Sequence, residues 1–191
     1  MRGAHDFGYA IRNHARRTEP LRDGKLRVAV VADTHGRPHE DASKHVAAAS
    51  PDVIVHAGDI GGYAVLDDLA RIAPVLAVRG NIDAPARDIP DAMTIAIDDV
   101  LRILVVHIGV NGPKIRADVA RLAKSENATL VVCGHSHVPF IGEDKALGVF
   151  NPGSIGPRRF TLPIVFGVLD VDRERIRARH VDCETGKTWT P

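Results

Sequence analysis

Short apolar runs return along the chain at intervals close to one strand–crossover–strand unit, and each ends in polar or turn-forming residues. "LRVAVVAD" (Leu26 to Asp33) runs into "THGRP", "DVIVHAGD" (Asp52 to Asp59) into "IGG", and "PVLAVRGN" (Pro74 to Asn81) into "IDAP". "LRILVVHIG" (Leu101 to Gly109) runs into "VNGP", and "TLVVCGH" (Thr129 to His135) into "SHVP". Between the runs, Asp41 to Ala49, Tyr63 to Ile72 and Ile115 to Lys124 carry apolar residues at three- and four-residue steps with charges between them. That spacing predicts amphipathic helices. "MTIAIDDVLRILVVHIG" reads as two strands joined at Asp98-Asp99, a hairpin, while "KALGVF", "PIVFGVLDV" and "RIRARHV" predict further antiparallel strands. Arg173, Arg175, Arg177 and Arg179 alternate, as on the solvent face of an edge strand. The pattern as a whole predicts one α/β domain with a mixed central sheet.

Composition narrows this picture. The 191 residues are 45% hydrophobic and 26% charged, enough apolar material for one domain with a real core. A formal net charge of +1 gives no global attraction to nucleic acid or anionic membrane. Residues 1–25 differ, with six Lys or Arg against three acids, and read as a basic N-terminal arm ahead of a domain over 26–191. The arm lacks the apolar stretch of a secretory signal, and no run approaches a membrane span. Cys133 and Cys183 form no C-x-x-C pattern, and Cys133 sits in an apolar run as a small core residue. The expected location is cytoplasmic.

The polar residues at the strand ends change the picture most. Ligands of open α/β sheets bind beyond the carboxyl ends of the strands. Here those ends carry Asp33 with His35, then Asp59, Asn81, His107, and His135 with His137, successive groups being 26, 22, 26 and 28 residues apart. Two aspartates, four histidines and an asparagine without a thiolate suit a hard-to-borderline divalent cation. Seven side chains exceed one four-coordinate zinc site and suit two ions sharing a carboxylate, with Mn²⁺, Fe or Zn²⁺ favoured over Mg²⁺ or Ca²⁺.

"DTHG", "GDI", "GNID", "VVHIG" and "CGHSH" resemble, in order, the blocks D-x-H, G-D, G-N-x-D/E, H and G-H-x-H of the calcineurin-like metallophosphoesterases. The compact length and "NPGSIGPRR" (Asn151 to Arg159) are most similar to the small YfcE-type phosphodiesterases. The resemblance spans roughly Arg27 to Val171. It implies a four-layer α/β/β/α sandwich of two mixed β-sheets flanked by helices. It further implies one metal on Asp33, His35 and His137, a second on Asn81, His107 and His135, and Asp59 bridging them. The implied cofactors are two divalent ions, Mn above Fe, Zn or Ni. The implied activity is hydrolysis of a small-molecule phosphoester, more a diester than a monoester, through a metal-bridging hydroxide. Asn81 and His135 would also steady phosphate oxygens. Neither a membrane nor nucleic acid, except as a phosphodiester substrate, is an expected partner; a homo-oligomer is compatible. The alternative is a non-catalytic scaffold on the same fold, like the retromer subunit that resembles it.

Two departures stand out. Many relatives have histidine after the asparagine of the G-N block, where this chain has Ile82, so His39 becomes the candidate proton donor. The relatives' H-G-H is here "HIGVNG", which alters the pocket wall beside His107. Other histidines read as structural (His56) or as surface residues (His5, His14, His45, His180). Asp83 is expected to orient a metal-bound imidazole. Arg37, Arg79, Lys114 and Arg158 adjoin the blocks as candidates to neutralise phosphate oxygens.

Overall fold

The computed structural model describes residues 9–190. In chain order it contains β1 (His14–Glu19), β2 (Lys25–Val31), α1 (Ala42–Ala48), β3 (Val53–His56), α2 (Tyr63–Ala70), β4 (Val75–Ala77), β5 (Ala92–Ile97) and β6 (Leu101–Val106). There follow β7 (Val110–Asn111), β8 (Lys114–Ile115), α3 (Ala117–Ser125), β9 (Leu130–Val132), β10 (Phe140–Asp144), β11 (Leu147–Asn151), β12 (Val165–Asp172), β13 (Ile176–Asp182) and β14 (Thr188–Trp189). The three expected helices and the Asp98-Asp99 hairpin are present. The single central sheet is not.

The strands divide into two mixed six-stranded sheets, ordered β1-β5-β6-β9-β11-β10 and β14-β13-β12-β2-β3-β4. Alternation along β2 explains the packing, because successive side chains point to opposite faces of a strand. Leu26, Val28 and Val30 enter the layer between the sheets, where they meet Ile95, Ile103 and Phe150. Ala29 and Val31 point the other way, to Ala42 and Val46 of α1 and Val65 and Leu69 of α2. On the far side, Leu104, Val106 and Val131 cover Val119 and Ala123 of α3. This is the four-layer α/β/β/α sandwich. Burial on both faces contributes roughly 1.5–3 kcal/mol per large aliphatic side chain, and it makes the inner strands largely apolar.

The segment expected as an arm contributes an edge strand. β1 pairs in parallel with β5, from His14 opposite Ala92 to Glu19 opposite Ile97. Residues 1–8, which include His5, lie outside the described residues. β13 lies one strand in from the edge, capped by β14 at His180 and Val181. Its arginines are ion-paired, Arg179 with Asp170 and Arg177 with Asp172. Among the described residues no helix is long and apolar enough to cross a membrane.

The sheets converge at one end. Parallel β2, β3 and β4 of one sheet lead to Asp33, Asp59 and Asn81, and parallel β6 and β9 of the other lead to His107 and His135. The carboxyl edge anticipated for one sheet is thus the seam between two.

Candidate metal centre

At that seam the seven strand-end residues meet. Ligand atoms of Asp33, His35 and His137 lie within 4.8 Å of one another, as do those of Asp59, His107 and His135. The aspartate between them faces both ways: Asp59 Oδ1 is 3.1 Å from His107 Nε2, and its Oδ2 is 3.7 Å from His35 Nε2. Asn81 joins the second group, its Oδ1 3.1 Å from His107 Nε2.

The backbone holding these residues is strained. Asp33, His35, Asp59, His135 and His137 all have left-handed φ values between 50° and 67°. Non-glycine residues rarely adopt that region, and such strain persists only where surrounding contacts enforce it. Here the loops are pinned: Asp33 N–H donates to Gly58 O at 2.9 Å, His35 N–H to Asp59 O at 2.9 Å, and His135 N–H to Asp33 Oδ2 at 2.9 Å. Gly80 permits the closest approach, since a Cβ there would stand 2.0 Å from Asp59 Oδ1.

The donor set fits divalent cations. His107 donates through Nδ1 to Ala57 O at 2.8 Å, so its Nε2 lone pair points at the oxygens of Asp59 and Asn81. Three lone pairs converging on one point repel unless a cation or proton lies between them. In the other group, Asp33 Oδ1 is buried with no hydrogen-bond partner among the described residues. Burial raises the Asp33 carboxyl to about 7, outweighing the His135 N–H and the nearby positive charges that favour its anion. Burial also lowers His137 to about 3, which favours the neutral, ligating imidazole. For Asp59 burial acts upward, but where a proton rather than a cation sits on His107 Nε2, the hydrogen bond and charge of that imidazolium outweigh it and hold the carboxyl at about 2.

His56 is structural, as its place inside a strand suggested. Its Nδ1 accepts Gly58 N–H at 3.2 Å, and Nε2–H donates at 2.9 Å to Thr34 Oγ1, which itself donates to Ile60 O at 2.8 Å. Burial lowers its pKa to about 4. His180 is not a surface residue: it is 4% exposed, and its Nε2 donates to Asn151 O at 2.7 Å. In "NPGS", Asn151 Nδ2 donates to Gly134 O and Ser136 Oγ, while Ser154 Oγ donates to Asp33 O, bracing two of the ligand loops.

His39 is not brought to the cluster by any contact among the described residues. Its Nδ1 accepts the nearby Asp41 N–H and its own N–H donates to Ile155 O. Asp83 touches no imidazole; its carboxylate takes N–H groups of Ile60, Gly61 and Gly80 at 2.7–3.1 Å, fixing the Asp59 and Asn81 loops together. Ile82 is half exposed and donates its N–H to Asp59 Oδ1 at 3.2 Å.

Of the candidate cations, Arg79 is committed to buried Asp91 and Arg158 to Glu184. Arg159, at the end of the same stretch, instead brings its guanidinium to 3.5 Å from His35 Nε2. Its importance was not readable from sequence, where it is one of two consecutive arginines. Tyr9 was also missed. Its hydroxyl lies 3.1 Å from Arg79 O and 3.0 Å from Asp91 O, and 3.4 Å from the N–H of His107.

A family model described as the calcineurin-like phosphoesterase superfamily domain matches residues 26–174. A probable metallophosphoesterase of Methanothermobacter thermautotrophicus is 32% identical over 173 residues, covering 86% of this chain and 94% of that protein. A probable metallophosphoesterase of Methanocaldococcus jannaschii is 32% identical over 135 residues, 69% of each. Among solved structures, vacuolar protein sorting 29 from Cryptosporidium parvum superposes with a TM-score of 0.72 at 17% identity, over 87% of this chain and 95% of that one. The phosphoesterase YfcE from E. coli superposes with a TM-score of 0.62 at 20% identity, over 86% and 97%. The two structural likenesses establish the fold; the family model and the two relatives establish descent, and the chain belongs to the calcineurin-like phosphoesterase superfamily.

Proposed function

We propose that the protein is a phosphoesterase that holds two divalent metal ions and hydrolyses phosphodiesters in preference to monoesters. The observation that supports this most is the position of Asp59, whose two carboxylate oxygens face two separate groups of ligand atoms. On this reading Asp33, His35 and His137 hold one ion, Asn81, His107 and His135 hold the other, and Asp59 is shared. Mn²⁺ suits this set, with Fe, Zn or Ni as other occupants. Such ions, when bound, supply Lewis acidity toward a phosphoryl oxygen and lower the pKa of water toward neutrality.

The chain's own residues supply orientation. Asn81 and His135 steady phosphoryl oxygens as well as completing a ligand set. The Arg159 guanidinium, 3.5 Å from His35 Nε2, offers a planar pair of donors to an incoming anion. Ile82 has no proton to give, and no contact among the described residues brings His39 to the cluster. The leaving oxygen therefore departs without a side-chain acid, which favours esters of acidic alcohols and phenols.

The test is hydrolysis of bis-p-nitrophenyl phosphate by Mn²⁺-loaded protein, with and without chelator, beside Asp59→Asn. Metal-dependent turnover is expected. The variant should lose more than about 100-fold, beyond the 10- to 100-fold that removal of a supporting partner costs. Equal background rates in all samples would refute the reading. A scaffold role is the second reading, suggested by the superposition on vacuolar protein sorting 29 with its TM-score of 0.72. Stoichiometric metal binding with no turnover of mono- or diesters would favour it.

A further inference from the structure

The departure after His107 builds the wall of a cavity. Val110 and Asn111 pair with Ile115 and Lys114 as a short ribbon, β7 with β8. A Cβ on Gly109 would meet Cys133 Cβ at 2.7 Å, so this glycine lets the ribbon lie close over the end of β9. Between the ribbon, Val138 and Phe140 lies a cavity of about 450 Å³, with Cys133 at its floor and His135 at its edge. This volume falls within the range, about 300–1,000 Å³, that small-molecule sites occupy. A second cavity, about 510 Å³ beside Tyr63 and Ile82, touches none of the seven candidate ligands. The first shares His135 with them.

The lining selects a class of occupant. Among the described residues, no Asp, Glu, Lys or Arg lines the cavity, so nothing there solvates a second ionic group. Its polar side chains are few: Asn151 is committed, with Nδ2 donating to Gly134 O and Ser136 Oγ and Oδ1 accepting Gly153 N–H, and Asn111, His135 and Ser136 complete the polar lining. Ser136 Oγ also accepts Val138 N–H. A hydroxyl-rich group would find few free partners and would lose its own water. Meanwhile Val138 is 45% exposed and Phe140 41% exposed at the rim, apolar surface that a bound ring would cover.

We propose that this cavity receives the organic substituent of the phosphoester, and that it selects a flat aromatic ring over a sugar or a short alkyl group. The proposal rests on the phosphoesterase reading, since His135 is what joins the cavity to the phosphate position. It also gives the altered "HIGVNG" segment a role as the wall that sets substrate choice.

Phenylphosphonate and methylphosphonate test it, because they carry the same head group and differ in the ring. Their dissociation constants are measured by calorimetry on Mn²⁺-loaded protein, alongside turnover of bis-p-nitrophenyl phosphate. Phenylphosphonate should bind at least about tenfold more tightly, the scale of one well-buried ring contact. Phe140→Ala and Val138→Asp, both at exposed rim positions, should each reduce that preference below about threefold. An absent preference, or one that both variants leave intact, overturns the proposal even where turnover is present. A ring preference with both variants behaving as expected but no turnover keeps the cavity assignment and rejects the enzyme reading. Failure of both phosphonates to bind overturns the proposal, and the enzyme reading falls with it only where turnover is absent too.

Discussion

Tyr9→Phe isolates a contribution from outside the region matched by the family model. The substitution keeps the ring, which packs edge-on to the His107 ring at 6.0 Å and lies under the Arg79 guanidinium at 5.4 Å. Only the hydroxyl is lost. Its single proton serves either Arg79 O at 3.1 Å or Asp91 O at 3.0 Å, and its lone pairs take the long 3.4 Å contact from His107 N–H. Tyr9 is 7% exposed, so water does not readily replace the hydroxyl. Leaving a buried polar group unsatisfied costs about 1–3 kcal/mol, and the long His107 contact argues for the middle of that range, about 2 kcal/mol. For a domain of this size that corresponds to a fall of about 4–8 °C in Tm. Arg79 precedes Gly80 and Asn81, and His107 is itself a candidate ligand, so the loss should also loosen one group selectively. Metal titration by calorimetry should show severalfold weaker binding at the Asn81, His107 and His135 group and little change at the Asp33, His35 and His137 group. A Tm within 1 °C of wild type, roughly 0.3–0.5 kcal/mol, with both affinities unchanged would refute a positioning role for the N-terminal segment.

Other consequences are equally direct. His135→Ala and His137→Ala should each deplete a different ion, measured as metal content per chain after loading; loss of the same ion in both would overturn the division of ligands. Arg159→Met should raise KM for bis-p-nitrophenyl phosphate by about tenfold or more while kcat changes less, as expected for a charge-assisted contact worth roughly 1.5–3 kcal/mol to the bound anion; an unchanged KM would remove Arg159 from the site. His56 is fully buried with its pKa lowered to about 4, below the unfolded 6.5, so the fold binds fewer protons there than the unfolded chain. Its neutral form contributes fully above pH 6.5, and that contribution is lost as pH falls toward 4, at about 1.4 kcal/mol per pH unit. The unfolding free energy of metal-free protein, from urea titrations at pH 7 and pH 5, should therefore fall by about 2 kcal/mol more in wild type than in His56→Gln; equal falls would refute the assignment.

The site was legible where chemistry changes abruptly along the chain. An apolar run that ends in aspartate, asparagine or histidine, five times over, marks strand ends whatever sheet the strand joins. The division into two sheets came only with the family resemblance and not from the apolar pattern, because β3 and β6, in different sheets, both read as short, largely apolar and largely buried runs. The chain changes sheet three times, between β1 and β2, between β4 and β5, and between β11 and β12, and at the last two changes the strands on either side are alike in being largely apolar. Tyr9 and Arg159 escaped for a related reason. Their partners lie 70 to 98 residues away for Tyr9 and 124 for Arg159, and no local pattern reports contacts at that range. Arg158 and Arg159 are adjacent and identical, yet one faces Glu184 and the other His35.

His180, expected at the surface, and His135, which lies in one of the two groups of candidate ligands, differ in their backbone. Both follow alternating or apolar strands, but His180 stays within regular β13, paired with Gly167, whereas His135 has left its strand with φ 67°. His56 likewise stays within β3, while Asp33, His35, Asp59 and His137 share the left-handed conformation of His135. A position that demands left-handed backbone ordinarily selects glycine, and each of these loops does contain one. Placing a carboxylate or imidazole there instead sacrifices local stability, and the pinned loops hold it in place. Left-handed backbone recurs at seven other non-glycine residues, but among the described residues it is at these five that it gathers carboxylates and imidazoles in one place, as expected of a site built for binding rather than for folding.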